Sequence, residues 1–172
     1  MKFELSKEYF DNLKEQIEFG RNDQITEAMN QLHPADIADI LENLSLEEAK
    51  TITSLLDDEL AAECLMELDE DYREGFLKMF STQEIADQVD QLDTDDAADL
   101  LGELSEKDKN EVIAQMDDHE HVSDIIELLR YDEDTAGGLM QTEFIVAKEN
   151  WPVDRCVIEM RKQAGTVEKV YS

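Results

Sequence analysis

The residues best suited to chemistry in this sequence are carboxylates in the segment from Asp93 to Asp99. Asp95 and Asp99 are four positions apart, which places both side chains on one face of a helix, where like charges cost about 0.2–0.5 kcal/mol. Their oxygens suit Mg²⁺, but that ion prefers octahedral oxygen and keeps its waters, so two carboxylates alone make a poor site. A magnesium site here therefore needs further ligands from another element.

Other reactive residues do not form a recognisable site. His119 and His121 diverge on a helix because they are two positions apart, and Cys64 and Cys156 have no partner at ligand spacing, so zinc is not expected. There is no Gly-x-Ser-x-Gly elbow and no phosphate-binding glycine loop. The sequence predicts a protein that is not an enzyme. Two cysteines without a framework spacing are typical of reduced, cytosolic proteins.

The charge of the chain excludes several classes of partner. Its 172 residues include 15 basic and 45 acidic side chains, giving a formal net charge of −30 at pH 7. Such a charge repels phosphate and anionic lipid, and aromatic residues for base stacking are only 6% of the chain. No run of about eighteen apolar residues is present, so no direct membrane insertion is expected. The expected partners are cations or basic surfaces.

A twelve-residue repeat must position the carboxylates. One large apolar residue recurs at this interval without a slip. The residue after each of the first eight, from His33 to Asp117, offers an N-cap oxygen in seven cases, the exception being His33, which precedes Pro34. Ser45 with Glu48 and Ser81 with Glu84 have the capping-box spacing. The apolar positions are Leu32, Leu44, Leu56, Leu68, Phe80, Leu92, Leu104, Met116 and Leu128. Each repeat therefore predicts one short helix followed by a turn.

Helices this short are marginal alone, so their stability must come from stacking. An alanine followed by an acid recurs at one position of four repeats, and the small side chain allows close approach of neighbouring helices. The pairs are Ala38-Asp39, Ala62-Glu63, Ala86-Asp87 and Ala98-Asp99. The predicted fold is mainly α, a right-handed superhelical stack of short helices in which each pair of helices makes a 24-residue period.

Both ends of the chain differ from the repeat. Residues 1–31 show two weaker helical patterns, which predict capping helices before the repeats of 32–129. After a connector at 131–138, residues 139–172 predict a strand at Glu143–Ala147, a helix from about Val153 to Ala164, and a strand at Val167–Tyr171. We therefore expect an acidic helical-repeat N domain at 1–130 and a truncated β-α-β domain at 139–172.

Two motifs connect these observations to a known family. The chain opens its repeats with Leu32-His33-Pro34-Ala35-Asp36, and Arg130 to Met140 read RYDEDTAGGLM. With these motifs and the acidic helices, the sequence resembles the cytosolic N domain of the MgtE-family magnesium transporters and channels over nearly its whole length. The segment from Leu139 is similar to the opening of the first CBS motif.

The resemblance implies a cytosolic regulatory domain that senses Mg²⁺. In the family, high Mg²⁺ holds the N domain, a CBS pair and a connecting helix together and favours a closed pore. Matching positions imply that the metal ligands are Glu63, Asp95, Asp99 and the backbone carbonyl of Gly138. The implied cofactor is Mg²⁺. The implied partners are the remaining CBS and transmembrane parts of the same transporter, which is a homodimer when full length.

The sequence also departs from the family pattern, because it holds no second CBS motif, connecting helix or pore. We therefore expect weak, cooperative-looking or merely diffuse Mg²⁺ binding by this chain and no bound nucleotide. The alternative is a helical-repeat adaptor that docks other proteins, since stacked helices of this kind also serve as scaffolds.

Overall fold

The computed structural model describes residues 5–131, 135–137, 140 and 146–163, and these residues are mainly helical. No β-strand occurs within them. The eleven helices found there are α1 Lys7–Glu18, α2 Asn22–Met29, α3 Pro34–Glu42, α4 Leu46–Thr53, α5 Asp58–Met66, α6 Glu70–Leu77, α7 Thr82–Val89, α8 Thr94–Gly102, α9 Glu106–Ile113, α10 His119–Leu128 and α11 Val153–Gln163. The predicted mainly α fold is confirmed.

The two helical patterns predicted for residues 1–31 are present as α1 and α2, while their role as caps of the repeat stays a prediction. Ser6 caps α1 by accepting a hydrogen bond from the Tyr9 backbone N–H at 3.2 Å. The turn between the two helices passes through Gly20, whose φ of 62° lies in the left-handed region where a side chain would be strained. The glycine therefore allows the chain to turn at the end of the first helix.

The capping pattern of the repeat sets where most of the later helices begin. Side chains of the predicted N-cap residues accept first-turn N–H groups in α4, α5, α6, α7 and α9. Both capping boxes form, because Ser45 pairs with Glu48 and Ser81 with Glu84 through reciprocal bonds. His33 makes no side-chain cap bond, and Pro34 occupies the first turn of α3. The twelve-residue spacing therefore becomes a spacing of helix starts.

The prediction of Asp117 as the cap of α10 is wrong by one residue. Helix α10 begins at His119, and the Asp118 carboxylate accepts the His121 backbone N–H at 3.1 Å. The backbone N–H of Asp117 instead donates to Oδ2 of Asp90 at 3.3 Å. The loop before α10 is therefore one residue longer than the repeat predicts.

The chain divides into two compact units, one formed by residues 1–92 and 103–117 and the other by 93–102 and 118–172. In the first unit α3 packs on α5, α5 on α7, and α7 on α9. In the second unit α8 packs on α10. Contacts between every second helix agree with the predicted 24-residue period, whereas the right-handed superhelix stays a prediction.

The core of the first unit lies between these stacked helices. Its fully buried side chains include Ile37, Leu41, Ile52, Leu65 and Phe76. Of the nine recurring apolar residues, six are buried, whereas Leu32, Phe80 and Leu104 are half-buried. The alanines of the four Ala-acid pairs are all buried, which agrees with close helix packing.

The C-terminal segment is described only in part. The predicted helix is present as α11, while 143–145 and the second predicted strand lie outside the described residues. Val146 and Ala147 are described and are not in a strand. The domain boundaries at 130 and 139 stay predictions. Within the described part of the chain, no helix is long and apolar enough to cross a membrane.

Candidate functional site

A row of carboxylates follows the stacked helices of the first unit. The four helices α3, α5, α7 and α9 each carry one exposed acid at an equivalent position, 24 residues from the next. We call this set the acidic row, and its members are Asp39, Glu63, Asp87 and Glu111. Helices in contact have axes about 8–10 Å apart, so the row places one carboxylate per helix at that spacing.

Glu63 is the member of the row that the family resemblance singles out. It lies in α5 between the buried residues Ala62 and Cys64, with its own side chain exposed. Burial raises the pKa of the Cys64 thiol to about 12, and the charge of Glu63 adds to this effect. The helix therefore packs on its alanine and cysteine side and presents Glu63 to solvent.

Asp95 and Asp99 lie in the second unit, one turn apart on α8 as the sequence predicts. Both are half-buried, and the intervening Ala97 and Ala98 are buried. Oδ1 of Asp95 is buried and has no hydrogen-bond partner among the residues that the structure describes. An unsatisfied buried carboxylate oxygen is costly, and a cation or an N–H donor would relieve it.

The predicted ligands are only partly brought together. Asp95 and Asp99 share one helix, Glu63 belongs to the other unit, and Gly138 lies outside the described residues. No group of three or more histidine, cysteine or acidic side chains within the described ranges is arranged to hold a metal ion. The four-residue ligand set therefore stays a prediction.

One buried ion pair in the first unit has no simple sequence signal. Arg73 of α6 has a side chain only 7% exposed, and its Nε donates to Oε1 of Glu103 at 2.9 Å. Its Nη1 also donates to the carbonyl oxygens of Leu65 and Met66 at the end of α5, at 3.2 and 2.9 Å. A single arginine thus binds the end of one helix and a residue thirty positions later in the chain.

Lysines of the first unit bind glutamates of the capping boxes. Nζ of Lys14 lies 3.5 Å from Glu48, and Nζ of Lys50 lies 3.2 Å from Glu84. Burial alone would raise the pKa of Glu48, but hydrogen bonds from Ser45 and the charge of Lys14 outweigh it, and the pKa is lowered. Hydrogen bonds from the backbone and side chain of Ser81 lower the pKa of Glu84.

These features define an acidic helical-repeat domain whose exposed carboxylates are set by the period of the repeat. Residues 32–134 match the family described as the MgtE intracellular N domain. The chain belongs to the MgtE family and carries this domain.

Known relatives agree with the assignment. The chain is 26% identical over 162 residues to "Magnesium transporter MgtE" from Thermus thermophilus, covering 93% of this chain and 36% of that protein. A crystal structure of the soluble part of a magnesium transporter superposes with a TM-score of 0.80 at 25% identity, over 96% of this chain and 65% of that one.

A second crystal structure is of the cytosolic domain of the Mg²⁺ channel MgtE in complex with ATP. It gives a TM-score of 0.83 at 26% identity, over 94% of this chain and 66% of that one. The chain therefore spans about a third of the curated transporter and just under two thirds of each solved chain.

Proposed function

We propose that this chain is the Mg²⁺-sensing regulatory part of a magnesium transporter or channel. Family membership supports the proposal, since both the curated relative and the solved relatives are named as magnesium transporters or channels. The observation that carries it is Oδ1 of Asp95, a buried carboxylate oxygen with no hydrogen-bond partner in the described part of the chain, one turn from Asp99. A hard cation is the ligand such an oxygen favours.

In this proposal Glu63, Asp95, Asp99 and the carbonyl of Gly138 supply oxygen ligands. Bound Mg²⁺ neutralises their charges and holds the domain against the CBS and connecting parts of a full-length transporter, which favours a closed pore. When Mg²⁺ is removed, the carboxylates repel one another and the assembly loosens. Residues 139–172 form the start of the first CBS motif, and the full-length protein is a homodimer. No catalytic step is proposed.

The test is a titration of the chain with MgCl₂ at constant ionic strength. Isothermal calorimetry measures the binding, and thermal unfolding measures the change in Tm. We expect weak binding, roughly in the millimolar range typical of low-affinity divalent sites, and a rise in Tm beyond that given by NaCl. Asp95→Asn and Glu63→Gln should reduce both responses. Asp11→Asn, which removes an exposed acid of α1, is the matched control and should leave them unchanged.

Two results would count against this function. A single tight, stoichiometric site in this chain would contradict the expectation that ligands from further domains are needed. A response to MgCl₂ no larger than that to NaCl at equal ionic strength, with no difference between Asp95→Asn and Asp11→Asn, would favour the adaptor scaffold instead. CaCl₂ serves as the control for selectivity between the two divalent ions.

A further inference from the structure

The motif at residues 130–140 contains a close contact between two residues that the proposed magnesium site does not use. These residues are Tyr131 and Gly137, and both belong to the second unit. A Cβ atom on Gly137 would lie 2.5 Å from Cδ1, 2.7 Å from Cγ and 3.0 Å from Cε1 of Tyr131. Carbon atoms in contact are normally about 3.5–4.0 Å apart. The tyrosine ring therefore occupies the space that a side chain at position 137 would need.

Tyr131 is attached to the end of a packed helix. Its backbone N–H donates to the carbonyl oxygen of Leu128 at 2.9 Å. Leu128 is the last residue of α10 and is buried. Helix α10 packs on α8, which carries the proposed ligands Asp95 and Asp99. The ring that meets Gly137 therefore starts from a fixed point of the unit that holds two of the proposed ligands.

The contact is made by the carbon atoms of the tyrosine ring and not by its hydroxyl group. The three atoms nearest to the position of a Cβ on Gly137 are all ring carbons. Tyr131 as a whole is 49% exposed, so its removal takes less apolar surface out of contact than removal of a core residue. We therefore expect this contact to affect the path of the connector more than the stability of the fold.

We propose that Tyr131 is a positioning residue, whose ring holds Gly137 beside the end of α10 and thereby places the carbonyl group of Gly138 for the cation. This role rests on the proposed function, in which that carbonyl is a ligand. The Cα atoms of neighbouring residues are about 3.8 Å apart across a trans peptide, so the position of Gly137 limits where Gly138 can lie. A larger residue at position 137 would displace the ring, the connector or both.

The test is a titration of the ¹³C,¹⁵N-labelled chain with MgCl₂ at constant ionic strength, followed by NMR. In the parent chain we expect saturable shifts of the Gly138 carbonyl carbon and of the Asp95 carboxyl carbon. Tyr131→Ala and Gly137→Ala should each raise the Mg²⁺ dissociation constant about tenfold, as the loss of a residue that orients a metal ligand does. Both variants should also reduce the Gly138 shift. Unchanged Gly138 shifts in the two variants would overturn the proposal.

Conservative and double variants separate the ring contact from other effects. Tyr131→Phe keeps the ring carbons and should behave like the parent chain. In the double variant, Gly137→Ala should cause no loss beyond that of Tyr131→Ala, because a Cβ has room once the ring is removed. Losses that add in the double variant would overturn the proposal. So would a loss in Tyr131→Phe as large as that in Tyr131→Ala, since it would assign the role to the hydroxyl group.

Gly75→Ala is the matched control, because a Cβ on Gly75 meets no other atom within 4 Å. It should leave the Mg²⁺ response unchanged. Thermal unfolding without Mg²⁺ should give nearly the same Tm for Tyr131→Ala, Tyr131→Phe and the parent chain. A fall in Tm of Tyr131→Ala that Tyr131→Phe shares would indicate a structural role and overturn the proposal.

The parent chain separates this proposal from the proposed function. If Asp95 and Gly138 show no saturable shift in the parent, the proposed function is contradicted, and the role of Tyr131 is contradicted with it. If both respond in the parent and respond equally in Tyr131→Ala, only the role of Tyr131 is contradicted.

Discussion

The apolar side chains of α3 in the first unit are buried, whereas two apolar side chains of α11 in the second unit are largely exposed. In α3 the apolar residues Ile37, Ile40 and Leu41 have no exposed surface. In α11, Val153 is 77% exposed and Ile158 is 54% exposed. The repeat explains the difference, because α3, α5 and α7 each pack against the next helix of the series that ends at α9. Helix α11 does not belong to the repeat, and no helix in the described part of the chain packs on it as α5 packs on α3.

The largest contrast is expected between the two thiols. Cys64 in α5 is fully buried and Cys156 in α11 is half-buried. Raising the pKa of a thiol from 9.0 to about 12, as burial does for Cys64, lowers its thiolate fraction at pH 8 about a thousandfold. Iodoacetamide at pH 8 should therefore alkylate Cys156 and spare Cys64, as measured by peptide mass spectrometry. As a control, both thiols should react in 8 M urea. Equal alkylation rates of Cys64 and Cys156 in buffer without urea would contradict the prediction.

A core truncation should give the next largest effect. Leu41→Ala removes a fully buried side chain and should cost about 2–5 kcal/mol in the free energy of unfolding. Ile158→Ala in α11 removes a mostly exposed side chain and should stay within about 0.5 kcal/mol. Urea unfolding measured by circular dichroism compares the two. A large loss for Ile158→Ala would mean that α11 packs more tightly than its exposure indicates.

The smallest effect concerns a helix cap and depends on pH. The lowered pKa of Glu84 in the folded chain means that its ionised form stabilises the fold above about pH 4.5, and this stability is lost as the pH falls further. Glu84→Gln should therefore be less stable than the parent chain by about 0.5–1 kcal/mol at pH 7. The difference should shrink between pH 7 and pH 3, as Glu84 of the parent chain becomes protonated. It is measured by urea unfolding at both pH values.

The control for this prediction comes from α11. Asp154 is an exposed acid in the first turn of that helix. Asp154→Asn should change the free energy of unfolding by less than about 0.5 kcal/mol at either pH, because exposed surface substitutions are usually this mild. If Asp154→Asn lost as much free energy of unfolding as Glu84→Gln, with the same pH dependence, the charge of Glu84 in its capping box would contribute no more than that of an ordinary first-turn acid.

The helices of the repeat could be predicted from the sequence because local signals define them. Ser81 and Glu84 are three residues apart, and their reciprocal bonds depend on little beyond that spacing. The spacing of the acidic row can also be found in the sequence, where its members are 24 residues apart. Only the contacts between every second helix show that these acids form one row. Periodic features of this fold are therefore predictable at the level of single residues.

Other features depend on distant parts of the chain. The ion pair between Arg73 and Glu103 joins residues thirty positions apart, and neither residue lies in a motif. The shift of the α10 cap from Asp117 to Asp118 accompanies a bond from the Asp117 backbone to Asp90. The buried oxygens of Asp95 and Gln88 likewise follow from packing, which no spacing rule describes.

The acidic row has a consequence for how the first unit responds to salt. Its carboxylates follow helices whose axes are about 8–10 Å apart, while the Debye length at physiological ionic strength is about 8 Å. Each charge is therefore already partly screened from its immediate neighbours and is largely screened from those beyond. Repulsion along such a row is therefore confined to adjacent helices, and Lys107, whose Nζ lies 3.4 Å from Glu111, already offsets part of it at α9.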